Sequence, residues 1–474
     1  MRLLILRTLT VLPILIAALP AFAQDKAERE ADMFGGGDEP AAPAPVDEAS
    51  ARDQAIFGDA PATPSALPAP LPSMLEQADD HLDVGGSLLL RTNLSWREDE
   101  SFDEAPLSAP SLFDAYLDVR PTDRVRGFGQ LRLAYDYTVE EGDTDLFGRE
   151  RVPFEILLDQ VWLKFDLGRV AFVTVGKQRI RWGTGRFWNP TDFVNQRTRD
   201  SLDFVDTRTG ADLLKLHFPF EALGWNLYLI GVLGGIEALE DSGVAARAEF
   251  VVGEMELALS TLVRKDAPLK VGGDVSFGLW LFDLRAEGII QRGLDGKYWK
   301  GELDFEEGVL PEEVDTEGEW YFRGVAGGDV SIKYSDQDNV ILGGEYFFNQ
   351  VGYDGGELYP FLALNGAFTP FYLGRHYLAG YALLQGPWTW DEASFTLSTI
   401  ANLSDLSVVS RLDFALVVLN YVTVNTFVAA HWGQVGELRL GLGIDPLPFV
   451  PGLEDGLVVP TQMVDAGVAL RVAF

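Results

Sequence analysis

Six cations gather in one short part of an otherwise acidic chain: Lys177, Arg179, Arg181, Arg186, Arg197 and Arg199. Lys177, Arg179 and Arg181 are spaced by two. On a β-strand they share one face with Val173 and Val175, while Thr174, Gly176, Gln178, Ile180 and Trp182 share the other. A row of cations along a water-filled wall attracts anions and bends the field across a pore. The same groups can instead pair with carboxylates on neighbouring strands and hold wall and loop together. Asp114, Asp118, Asp136 and Asp159 are the candidate partners, because a lumen charge without a partner is costly unless water surrounds it. The two readings are compatible if only some cations are paired. After Trp182 the chain passes through Gly183-Thr184-Gly185, Arg186, Phe187, Trp188 and Asn189-Pro190, which reads as a strand leaving into a loop. Thr191 or Asp192 is placed to cap a short helix through Arg197. The expectation is a lumen-lining strand over 170–182, followed by a loop folding back into a pore. Trp182, Phe187 and Trp188 would then offer an apolar contact to a solute, or serve as interfacial belt or loop core.

Hydrolytic chemistry has weaker support. The four histidines are His81, His217, His376 and His431. Ser398, His376 and Glu345 can be written as a Ser–His–acid set, but neighbouring strands supply such triples by chance. There is no G-x-S-x-G, no H-E-x-x-H and no P-loop. An enzyme is therefore not expected, and neither a metal nor a cofactor is implied. With no cysteine, thiol chemistry and disulfides are excluded. A formal net charge of −35 argues against nucleic acid as a partner.

The elements that would position these residues follow from patterning. Residues 1–23 read as a signal peptide: Arg2 and Arg7 precede an apolar run, and Ala21-Phe22-Ala23 fits a small-x-small cleavage site. Residues 24–82 read as a disordered Pro/Ala-rich acidic linker, placed in the periplasm, since such a composition cannot offset its ordering entropy. From there to residue 474 the chain alternates. Leu88, Leu90, Leu94 and Trp96 oppose Arg91, Asn93 and Ser95; Leu131, Leu133 and Tyr135 oppose Arg132 and Asp136. No mature stretch supplies the apolar run of about 20 residues that a spanning helix needs. Export with alternation over segments of ten or more residues points to an all-β fold, a transmembrane antiparallel β-barrel over 83–474. Candidate strands number about 18, with 16 as the alternative. The pair near 270–292 lacks a recognisable turn, and Glu437 to Leu442 alternates without an assigned place. With an inward N-terminus the outward connections are long and acidic, as at Glu302 to Glu319, while inner turns such as Pro121-Thr122-Asp123 are short. The loop at 183–210 is the third outward one, the position that narrows many porins.

The segment GKQRIRWGTGRFWNPTD, through Gly176, Gln178, Trp182, Gly183, Asn189, Pro190 and Asp192, resembles a motif of uncharacterised porin-like barrels of Gram-negative outer membranes. The last strand, whose apolar face runs from Val464 to the terminal Phe474, looks like the insertion signal of such barrels. The resemblance implies an envelope barrel, seated in outer-membrane lipid and lipopolysaccharide and inserted by the barrel-assembly machinery through Phe474. The combined expectation is an outer-membrane porin-like channel for passive diffusion of small solutes, anionic or amphipathic ones among them. Lys177, Arg179, Arg181, Arg132, Asp136 and Asp118 are the expected pore-lining residues, and Arg186, Trp188, Asn189 and Asp192 the constriction. The alternatives are a plugged structural or docking barrel without conductance, and an outer-membrane hydrolase. Gly127, Gly129, Ala326 and Gly328 permit close packing between copies, which leaves monomer and trimer open.

Overall fold

A computed structural model describes residues 81–144, 150–195, 199–203, 207–234, 242–265, 267–304, 308–335, 338–444, 446 and 455–474. The expected leader and almost all of the expected linker lie outside these residues, as does Arg197.

The described residues form one closed antiparallel ring of eighteen strands. They are β1 (Leu82–Arg97), β2 (Pro110–Thr122), β3 (Val125–Asp136), β4 (Phe154–Leu167), β5 (Ala171–Gln178) and β6 (Ala211–Phe220). The middle of the ring is β7 (Trp225–Val232), β8 (Gly243–Val252), β9 (Met255–Arg264), β10 (Leu269–Leu279), β11 (Phe282–Arg292) and β12 (Trp320–Lys333). It is completed by β13 (Asn339–Asn349), β14 (His376–Gln385), β15 (Ala393–Asn402), β16 (Ser407–Leu419), β17 (Val422–Gly433) and β18 (Gln462–Ala473). Each strand pairs with its sequence neighbours, and β18 closes on β1, with Leu90 opposite Leu470 and Thr92 opposite Val468. Closure leaves no unpaired edge, which is the condition for a sheet to sit in hydrocarbon. Phe474 reinforces the seam: its amide donates to the Gly86 carbonyl at 3.0 Å and its carbonyl accepts the Gly86 amide at 2.8 Å.

The outer face is predominantly apolar. Leu131, Leu163, Leu259, Leu378 and Leu412 are all exposed, and Val468 keeps 55% of its surface. The alternate positions, including Arg132, Arg247, Glu287 and Arg411, are buried inside the ring. The expected 18 strands are therefore present. The doubtful pair at 270–292 is β10 and β11, joined by Trp280-Leu281 with Trp280 at φ 60°. Two-residue hairpins need positive φ, normally supplied by Gly, Asn or Asp. Here the residue is a tryptophan with 88% of its surface free, suited to a headgroup interface. The long connections all lie at one rim, although that rim also has short ones at 265–268 and 403–406. The opposite rim carries turns such as 168–170 and 420–421; the long-loop rim carries segments such as 179–210, 293–319, 350–375 and 434–461. The unplaced stretch belongs to the last of these. Leu442–Ile444 pairs with Leu457–Val459 in a small hairpin apart from the ring. A short helix, α1 (Tyr359–Leu364), packs with Trp299, Leu358 and Leu373, tying two long segments together.

Candidate functional site

The segment that leaves β5 does not stay at the rim. A loop inside a barrel must find partners for its backbone amides where water is scarce. Two glutamates on the facing wall supply them. Glu287 on β11 accepts the Thr184 amide at 2.8 Å and the Thr191 hydroxyl at 3.0 Å. Glu345 on β13 accepts the Arg186 amide at 2.6 Å and the Phe187 amide at 2.9 Å. Arg285, on β11, steadies Glu345 through its Nε at 2.8 Å and pairs with Asp329 of β12. Gly183 is required for this approach: its φ is 94°, and a Cβ there would collide with the Glu287 carboxylate.

Apolar packing completes the attachment. Trp188, with none of its surface exposed, stacks on Phe347 at 5.3 Å and lies against Tyr377 at 5.5 Å. Its Nε1 donates to the Phe371 carbonyl at 2.9 Å. Trp182, 1% exposed, meets Phe193 edge-on at 5.5 Å within a cluster that includes Ile180, Tyr228 and Ile289. These aromatics are therefore core of the inward segment. Further along, Asp203 forms a two-pronged pair with Arg91 of β1, at 3.0 and 3.1 Å. The segment thus reaches β1 on one side and β11 to β14 on the other. Between its residues 199–203 and the wall lies a cleft of about 690 Å³, open solvent included, bordered by Ser394, Thr396, Ser398, Asp413 and Asn425.

The expected site residues divide into three groups. Arg132, Asp118 and Asp136 stand on the inner face, each engaged. Arg132 meets Asp114 at 2.8 Å and Asp159 at 3.5 Å. Asp118 meets Arg120 at 2.7 Å and Arg126 at 2.9 Å, and Asp136 meets Arg151 at 3.5 Å. Arg179 joins them, its guanidinium 2.6 Å from Asp159, the extra residue where the β3–β4 register shifts. The pairing alternative thus accounts for Arg132 and Arg179 through the carboxylates named for it.

The inward segment holds Arg186, Asn189 and Asp192. Arg186 reaches Asp329 at 3.2 Å and lies over the Tyr381 ring at 5.2 Å. Asn189 closes a turn on the Gly185 carbonyl at 2.7 Å. Asp192 accepts the Trp182 amide at 3.1 Å and meets Arg208 at 2.9 Å. No helix forms over 191–195; Asp192 spends its carboxylate on the backbone behind it.

The third group is a correction. The strand ends at Gln178, so Arg181 is not on it, and the assignment of faces is reversed. Lys177 is in register with Val161, 46% exposed on the outer wall, and with Asp212. Lys177 therefore lies on the outer face and does not line the pore. Thr174, Gln178, Ile180 and Trp182 are buried inside. The reason is that the inner face here packs against Phe193 and Val194 of the inward segment, so apolar residues can face inward.

The hydrolytic triple is not assembled. Ser398 and Glu345 are buried on the inner face, whereas His376 shares the outer face with Leu378 and lies 2.6 Å from the Tyr346 hydroxyl. Sequence reasoning missed the loop-anchoring role of Glu287 and Glu345. Alternation put Glu287 on a polar face, but nothing local reveals an amide partner more than 100 residues away.

No family model matches this chain, and no curated protein does. Solved structures do. Acinetobacter baumannii OccAB4 superposes with a TM-score of 0.51 at 8% identity, over 83% of this chain and 98% of that one. Acinetobacter baumannii OccAB1 gives 0.50 at 11% identity, over 85% and 99%. These matches place the chain in the fold of Gram-negative outer-membrane β-barrels.

Proposed function

We propose that this chain is an outer-membrane porin-like channel for passive diffusion of small solutes, with the third long-rim loop, 183–210, narrowing the lumen. The observation that carries this reading is the fixing of that loop's backbone to Glu287 and Glu345, across the ring from the strand it leaves. A pore narrowed by a fixed element sieves by size and by the groups bordering the remaining space. Charge lining enters more weakly than composition suggests, because Arg132, Arg179 and Arg186 are each neutralised by a carboxylate. Lipid and lipopolysaccharide are the surroundings of the outer wall, and Phe474 the contact offered to the assembly machinery. The linker at 24–82 is assigned to the periplasm, as a tether.

A plugged barrel is the second reading, favoured by the two aromatic clusters around Trp182 and Trp188. Planar-bilayer recording separates the two. A channel gives stepwise conductance, and liposomes bearing it swell at rates that fall with solute size. A refolded barrel that gives neither, while resisting proteases as a folded barrel does, would establish the plug. Hydrolase activity lost in a His376→Ala variant would overturn both.

A further inference from the structure

Most of the arginines that the strands turn inward have a close carboxylate. Arg91, Arg132, Arg247, Arg285 and Arg411 each have one between 2.7 and 3.0 Å. Arg323 does not. It lies on β12 in register with Ile289 and Asn349, both 2% exposed, which puts it on the inner face near the long-loop rim. Its Nε donates to the Asn349 side-chain carbonyl at 3.2 Å, and Asn349 in turn donates to the Tyr372 carbonyl at 2.8 Å. No carboxylate lies within 4.0 Å of it among the described residues. Asp295 acts on it through space, but that carboxylate is 2.8 Å from the Lys270 ammonium. The terminal nitrogens have no protein acceptor among the described residues.

We infer that Arg323 receives the carboxylate of a solute entering at the long-loop rim, above the crossing of the inward segment. The chemistry is that of a planar fork held by a neutral partner. The amide of Asn349 orients the guanidinium without cancelling its charge, so two donor-bearing nitrogens remain for a carboxylate to grip side by side. A cation enclosed by protein and lacking an acid gains more from an incoming anion than one already paired. The Arg179 and Arg181 stretch looked suited to this role in the sequence, but Arg179 is satisfied by Asp159. The physiological sense of the site rests on the channel reading; its test does not.

The test is calorimetric titration of the detergent-solubilised full barrel with benzoate and with benzyl alcohol, which has the same ring and no charge. The wild type is expected to bind benzoate about tenfold more tightly than benzyl alcohol, and Arg323→Gln to lose that preference. Arg323→Lys keeps the charge without the fork and is expected to fall between the two. It also serves as the second variant should the glutamine form fail to fold. A wild type indifferent to the carboxylate, or a preference that survives in Arg323→Gln, overturns the assignment. Benzoate binding in a barrel that conducts nothing would keep this site and remove the channel.

Discussion

Removing the Glu345 carboxylate should release the inward segment. Three hydrogen bonds end on it: from the Arg186 amide at 2.6 Å, the Phe187 amide at 2.9 Å and Arg285 Nε at 2.8 Å. Hydrogen bonds to a charged acceptor each contribute about 1.5–3 kcal/mol, and breaking a buried ionic pair costs about 3–5 kcal/mol. In Glu345→Ala two buried amides lose their acceptor, and Arg285 is left with Asp329. Taking about 3 kcal/mol as the net loss, the ratio of docked to undocked segment falls on the order of a hundredfold. Glu345→Gln keeps one acceptor oxygen but turns an amino group toward a backbone N–H, so it should fall between Ala and wild type. Single-channel recording reads this as excursions to a larger conductance, more frequent in Ala than in Gln. Limited proteolysis reads it as new cleavage within 183–210. Identical conductance, noise and cleavage in all three proteins would refute the claim that Glu345 holds the segment in the lumen.

Two further outcomes concern ionisable side chains on the inner wall and in the long segments. The double variant Arg179→Gln/Asp159→Asn should leave the reversal potential in a salt gradient near the wild-type value, because Asp159 neutralises Arg179 at 2.6 Å and the pair is removed whole; a large shift toward cations would restore Arg179 as a selectivity residue. Glu437, in the 434–461 segment, is pushed up to about 7 by burial, which outweighs the hydrogen bonds it accepts from Tyr377 and from the Leu373 and Tyr372 amides. A carboxyl raised in the folded state stabilises most fully below its unfolded value near 4.5, and that contribution is lost as pH rises through about 7. The segment should therefore resist proteolysis better at pH 5 than at pH 8, and Glu437→Gln should remove most of the difference; a pH dependence unchanged by that substitution would refute it.

The strands were legible in the sequence, and the interior was not. Alternation depends on the contrast between hydrocarbon and everything else, and Leu131 against Arg132 carries that contrast in two residues. The same logic failed at Val173 to Trp182, because it treats the inner face as wet. There the inner face meets Phe193 and Tyr228, and Ile180 and Trp182 obey the packing of a protein core. The Trp280 turn was hidden for a related reason, since an exposed aromatic at φ 60° follows the demand of the interface over that of the turn. Glu345 was visible as a residue but not as an anchor, because its partners at 186 and 187 are separated from it by 159 and 158 positions.

The inward segment also has a mechanical consequence. A ring of eighteen strands is a thin shell, and lateral pressure in a bilayer can flatten such a shell into an ellipse. Arg91–Asp203 holds one end of a cross-brace, and Glu287, Glu345 and Trp188 hold the other. The width of the cylinder along that line is therefore tied to these two sets of anchors as well as to the tilt of its staves.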